Sequence, residues 1–303
     1  MTNTNVTSSG ITHKIDPLLC TNCKLCVIIC PAMILAQNEK KEVYFTQDRI
    51  SICIKCGHCM AMCESSAISI EGLSYKTNFR PLPESFWNEA DFFNFLLARR
   101  SVRVFKDKPV PVELLQKIVD AIATAPFGVH PDNVEINVVS DKKVIEKAWP
   151  YMSKFYMQLA KILRIPLVGW FFRRYLPKET VDTLMNFIIP HVDKGLYDSS
   201  TGIDDITRNA PALILFHGRK EAGEHTADAH IYLTYAMLAA HSLGLGATVI
   251  GLIGPPIDSM KKLRQIFKIP EGNEVVGSLI VGYPKYSFKK AIIRPRSKVN
   301  FIS

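Results

Sequence analysis

The chain has 303 residues, of which 48% are hydrophobic and 21% charged, with a formal net charge of +9. That balance excludes a disordered chain, and at this length it predicts a small module followed by a domain of about 200 residues. Lys and Arg are spread along the chain without an aromatic-interleaved basic block, so no nucleic-acid partner is expected.

The opening stretch to Thr12 is polar and rich in Ser, Thr and Asn, with neither a basic start nor an apolar core. No secretory signal is read there, and a cytoplasmic protein is expected. All eight cysteines then fall between Cys20 and Cys63, as Cys20-x2-Cys23-x2-Cys26-x3-Cys30 and Cys53-x2-Cys56-x2-Cys59-x3-Cys63. This is the bacterial ferredoxin spacing, repeated at a period of 33 residues, with Pro31 after the first run and Glu64 in the proline's place after the second.

Three thiolates from one tight loop reach three corners of a four-iron cube, and the fourth, three residues on, points to the other cube. By that crossing, Cys20, Cys23, Cys26 and Cys63 are expected to hold one [4Fe-4S] cluster, and Cys53, Cys56, Cys59 and Cys30 the second. Structural zinc also uses paired C-x2-C units, but rarely two consecutive x2 gaps followed by x3, and not twice. A disulfide framework suits the clustering of every cysteine still less. His58, inside the second loop, is read as facing solvent rather than tuning a cluster. The apolar tails Ile34-Leu35 and Ala67-Ile68-Ser69-Ile70 predict short β segments that cover the clusters.

After Ile70 the pattern breaks at Glu71-Gly72, and Pro81 and Pro83 stop regular structure. A ferredoxin-like domain over 1–76, a linker over 77–88 and a second domain over 89–303 follow. That second domain reads as α+β. A helix is predicted over 89–99 with Phe92, Phe93, Leu96 and Leu97 on one stripe, then one begun by Pro111 and buried along Leu115, Ile118, Val119 and Ile122. Strands are predicted over 134–139, 212–216, 247–253 and 275–281. The helix over 229–243 lacks a clearly polar face, which predicts burial and a candidate subunit contact.

Between these elements, 148–196 is unusually apolar and aromatic, with Trp149-Pro150-Tyr151, Trp170-Phe171-Phe172 and Phe187-Ile188-Ile189. Its longest apolar run, 162–172, is interrupted by Arg164 and falls short of the roughly 20 residues of a spanning helix.

Four pieces in order carry a resemblance: Arg99-Arg100-Ser101-Val102-Arg103-Val104-Phe105, Ala125-Pro126-Phe127-Gly128, Gly244 to Gly251, and Val281-Gly282-Tyr283-Pro284 with Arg294-Pro295-Arg296. Together they resemble the nitroreductase family over residues 89–303. The resemblance implies an FMN-binding fold with a mixed sheet between helices, and a homodimer with the flavin at the subunit interface. Arg99, Ser101 and Arg103 match phosphate- and ring-contacting positions, Arg100 a further cofactor contact, and Arg294 and Arg296 the C-terminal phosphate ligands. That chemistry is sound, because Arg grips phosphate oxygens with a planar fork. Ile250, Gly251 and Leu252 fall where the family offers backbone N–H groups to the flavin, and glycine permits close approach.

The chain departs from the family at Pro126-Phe127-Gly128-Val129-His130-Pro131-Asp132, where many members have Pro-Ser-x-x-Asn-x-Gln-Pro-Trp. His130 and Asp132 resemble the deiodinase branch, and His130 is either a flavin contact or a loop residue. Without the usual Asn, Gln and Trp, NAD(P)H is expected to be a poor direct reductant. In the family the 148–196 region is a lid over the flavin, and an aromatic lid implies a planar hydrophobic acceptor. Trp and Arg around a short apolar run keep an interfacial membrane element as the second reading.

These features predict an oxidoreductase in which a low-potential donor such as a ferredoxin reduces the two clusters and these reduce FMN. The electrons leave to a small organic acceptor: a nitroaromatic, quinone, enone or halogenated aromatic. With the chemistry carried by cofactors, no side chain is assigned as catalytic. A non-enzymatic electron relay is the alternative.

Overall fold

The computed structural model describes residues 12–84, 88–128, 130–294 and 299–302. They divide into two compact units, one of 12–84 with 130–131 and the other of 88–128 with 132–294 and 299–302.

In the first unit β1 (Lys14–Ile15) pairs antiparallel with β4 (Ile68–Ser69), and β2 (Leu35–Gln37) with β3 (Val43–Phe45). Short helices α1 (Leu25–Ile29) and α2 (His58–Ala61) follow the second cysteine of each run, and α3 (Tyr75–Asn78) closes the unit. The repeat read from the cysteines is also a repeat of the backbone. Left-handed residues recur at the same spacing: Asn22 with Lys55, Lys24 with Gly57, and Met33 with Ser66. A non-glycine residue held there costs of order 1–3 kcal/mol, which persists where surrounding structure demands it. Here the demand is a loop curled tightly enough to turn three thiols inward. Ile34, Leu35, Ile50, Met60, Ile68 and Ile70 form the core between the loops.

The second unit is a four-stranded sheet in the order β5-β6-β8-β7 between two helical layers. Its strands are β5 (Glu135–Val139), β6 (Ala212–Arg219), β7 (Gly246–Val249) and β8 (Asn273–Gly282), and each neighbouring pair is antiparallel. Among the described residues the mixed character rests on one parallel bridge, Ser101 to Ala247. Alternation along the central strand explains the layers. Ala212, Ile214 and Phe216 pack with α5 (Val112–Ile122) and α10 (His225–Ser242), whereas Leu213 and Leu215 enter a separate core with α6 (Lys142–Leu163). That second core also takes residues of α11 (Gly254–Ser259) and α12 (Lys261–Phe267).

α4 (Glu89–Ala98) begins at the Asn88 side chain, which accepts from the Asp91 N–H. Of its stripe Leu96 is partly buried, whereas Phe92, Phe93 and Leu97 are exposed among the described residues. The strand expected over 247–253 ends at Val249. The Ser278 hydroxyl takes the Ile250 carbonyl, residues 251–252 turn, and Pro255 and Pro256 open the next helix. The 148–196 segment is helical: after α6 come α7 (Pro166–Tyr175), α8 (Lys178–Thr183), a π turn over Leu184–Ile188 and α9 (Ile189–Asp193).

Candidate functional site

None of the eight cysteines is in a disulfide, and they sort into two cavities of the first unit. Cys20, Cys23, Cys26 and Cys63 line one, with Ile15, Leu25, Val43 and Ile68 around them. Cys30, Cys53, Cys56 and Cys59 line the other, with Ala32, Ile34, Ile54 and Ile70. Each cavity takes three thiols from one run and the fourth from the other. A tetrahedral ion needs all its ligands at about 2.3 Å from one point. Among the described residues no three His, Cys, Asp or Glu gather that tightly. Four thiols around a cavity suit a larger guest.

Only a cationic guest would turn these thiols into thiolates. Burial, and then the neighbouring thiols of Cys20, Cys23 and Cys63, push Cys26 up to about 11. Burial and then Cys30, Cys56 and Cys53 push Cys59 up to about 12, and burial also raises Cys53. Left alone, these groups stay protonated near neutrality. Iron inverts that preference by supplying the largest positive charge in the site. The Ala67 N–H donates to Cys63 Sγ at 3.3 Å, a contact that favours thiolate and tunes whatever it ligates. His58 is exposed, as the sequence predicts.

In the second unit, Arg99 and Arg100 line a cavity of about 230 Å³ with Val102, His241, Leu245, Ala247, Tyr286, Ser287 and Phe288. Among the described residues no carboxylate lines it. Arg100 Nη1 donates to the Arg99 carbonyl at 2.7 Å, while its Nε and Nη2 are buried without a partner among the described residues. An unpaired buried guanidinium edge is costly, and an anion in the cavity would satisfy it. Burial, followed by the charge of Arg99, lowers His241, whose ring lies 4.9 Å from that of Phe95.

The cationic motif is split by this arrangement. Arg99, Arg100 and Val102 line the cavity, but Ser101 and Arg103 do not. Ser101 bridges Ala247 of β7, and Arg103 is exposed. At the far end of β7, about 13 Å along the strand, stand Ile250, Gly251 and Leu252. The Ile250 N–H is committed to the Ser278 carbonyl at 3.0 Å, and the Leu252 carbonyl accepts from Tyr156 of α6 at 2.8 Å. A Cβ on Gly251 would meet nothing within 4 Å, so there is room above that turn.

Pro126 is exposed, and Phe127 is partly buried against the α5–α10 core. The Gly128 N–H donates to Asp228 Oδ1 at 2.8 Å. Asp228 is buried, with Oδ2 unpartnered among the described residues, and its hold on the Gly128 turn is one that sequence reasoning missed. An Asp in the first turn of an apolar helix was the available signal. His130 is partly buried, Arg294 is exposed, and Arg296 lies outside the described residues.

Comparison with known proteins follows this division. A model of the nitroreductase family matches residues 96–283, and one of a 4Fe-4S dicluster domain matches residues 12–64. A putative NADH dehydrogenase/NAD(P)H nitroreductase of Methanothermobacter thermautotrophicus is 26% identical over 197 residues, covering 65% of this chain and 79% of that protein. Iodotyrosine deiodinase 1 of Rattus norvegicus is 24% identical over 238 residues, covering 73% of this chain and 72% of that protein. Among solved structures, a nitroreductase with bound FMN from Bacteroides fragilis shares the fold with a TM-score of 0.50 at 19% identity, over 72% of this chain and 100% of that one.

Proposed function

The chain belongs to the nitroreductase family, and we propose that it is an iron–sulfur flavoprotein oxidoreductase that passes electrons from two [4Fe-4S] clusters to FMN and on to a small organic acceptor. The observation that carries this reading is the crossed sorting of eight thiols around two cavities. When bound, the clusters exchange single electrons and the flavin one or two.

The residues of this chain hold and tune those groups. Cys20, Cys23, Cys26 and Cys63 ligate one cluster and Cys30, Cys53, Cys56 and Cys59 the other, with apolar side chains limiting water. Arg99 and Arg100 receive the flavin phosphate in a cavity free of carboxylates, with Ser101, Arg103, Arg294 and Arg296 completing the cofactor contacts. With the Ile250 N–H already committed, Gly251 and Leu252 supply the backbone donors toward the ring. Tyr156 orders that turn through the Leu252 carbonyl, which supports α6 as the inner part of a lid. Pro126, Phe127 and Gly128 belong to the flavin contacts of the same reading, as does His130 by its place in the sequence. A homodimer belongs to the same reading, supported by the uncovered Phe92, Phe93 and Leu97 of α4.

The test is anaerobic rapid mixing of the full-length protein with a low-potential one-electron donor. Cluster-loaded protein is expected to reduce its flavin faster than protein carrying flavin alone. Equal rates would remove the clusters from the route. NADH and NADPH are run in parallel and are expected to be slower reductants, and the same preparation screens nitroaromatics, quinones, enones and halogenated aromatics.

A further inference from the structure

α7 turns its apolar face outward. Leu167, Trp170 and Phe171 stand at positions i, i+3 and i+4 and are 75%, 59% and 54% exposed, with Tyr175 one turn further at 63%. The helix rests on α6 and α8. Gly169, at its middle, is buried so closely that a Cβ would meet the Leu163 carbonyl at 2.8 Å. Water favours the reverse arrangement, with bulky apolar side chains inward. Ile162 and Ile165, both exposed, extend the patch across the junction with α6.

The charge around this face is mainly positive, with Glu179 and Asp182 of α8 exposed beyond it. From Lys147 to Lys178 the sequence carries seven Lys and Arg and no Asp or Glu. Lys161, Arg174 and Lys178 are exposed at its rim, and Arg164 pairs with Asp193. Among the described residues no helix is long and apolar enough to cross a membrane, so a contact with lipid would lie in the plane of the surface.

We infer that α7 seats the protein on an anionic lipid bilayer surface. Leu167, Trp170 and Phe171 enter the boundary between headgroups and acyl chains, where Trp is favoured, and the surrounding cations reach lipid phosphates. Charge argues for lipid over a second copy of the chain. An isologous contact through α7 would set two mainly cationic rims against each other, with the rim's Asp193 already paired to its own Arg164.

The test is flotation of the full-length protein, with clusters and flavin bound, on vesicles of phosphatidylcholine alone or of equal parts phosphatidylcholine and phosphatidylglycerol. Flotation is expected with the anionic vesicles and not the neutral ones, and salt should release it. Trp170→Ser with Phe171→Ser should weaken binding about tenfold or more, and Lys161→Ala or Arg174→Ala about fivefold each. These side chains are exposed, so far-ultraviolet circular dichroism and flavin content should be unchanged. The inference is overturned by no flotation, by flotation indifferent to lipid charge, or by undiminished flotation of the double variant. It is also overturned if sedimentation shows that the double variant changes only the oligomeric state.

Discussion

At the scale of single residues, the crossed cysteines and the Arg100 guanidinium yield separate predictions. Cys30 lies in the first run, yet it lines the cavity of Cys53, Cys56 and Cys59. Cys30→Ser should therefore damage the cluster held mainly by the second loop, with iron and sulfide falling toward about half of the eight per chain that two four-iron clusters require. Spectroscopy should show the surviving cluster to be the one on the other set of cysteines. Arg100→Ala should weaken FMN binding about tenfold or more, since a hydrogen bond to a charged group contributes roughly 1.5–3 kcal/mol. Arg100→Lys should recover part of that loss, because it keeps the charge without the fork. Arg103→Ala should cost less in a flavin titration, because Arg103 is exposed and outside the cavity. The sequence put Arg103 ahead of Arg100 as a phosphate ligand, and only the folded segment, which turns Arg100 into the cavity and leaves Arg103 exposed, reverses that order.

At the scale of elements, the join between the cationic segment and β7 depends on one missing side chain. A Cβ on Gly246 would stand 2.6 Å from Val102 Cβ and within 2.7 Å of both its methyl carbons. Val102 is β-branched and stiff, so it cannot swing aside. Gly246→Ala should force the 99–103 segment off the strand, cost about 1–3 kcal/mol in chemical denaturation and weaken flavin retention. Val102→Ala in the same chain should restore part of both, which a double-mutant cycle measures. The strongly patterned elements were readable beforehand: α5 buries Leu115, Ile118 and Ile122, and β5, β6 and β8 lie where alternating or continuous apolar runs placed them. The end of β7 was not readable, because it is set by the Ser278 hydroxyl on a neighbouring strand. The outward face of α7 was equally hidden, since periodicity finds an apolar stripe without saying what it faces.

For the whole molecule, stability should fall on the acid side of neutrality. His217 is buried between strands, with Nδ1 taking a hydrogen bond from Asn273 Nδ2 at 2.9 Å. Burial lowers it from its ordinary value of 6.5, Glu135 opposes that shift and Arg264 assists it, and burial lowers His13 in the first unit as well. Below about pH 6.5 the unfolded chain therefore binds protons that the folded chain refuses, and stability is lost as the pH falls, by at most about 1.4 kcal/mol per pH unit for each histidine. His217→Gln should flatten the dependence of melting temperature on pH, and an unchanged slope would exclude His217 as its source. The two-part organisation needed no coordinates. Eight cysteines at a doubled spacing are local chemistry, and four short motifs in order identify a family because each repeats a local backbone demand. Contacts across long sequence separations were settled elsewhere. Asp228 on Gly128, Tyr156 on Leu252 and Val102 against Gly246 join residues with no relation along the chain, and the unpartnered edge of Arg100 exists only because folding buried it. Spacing specifies what a segment can bind, whereas burial and alternation specify which of its side chains are left to bind it.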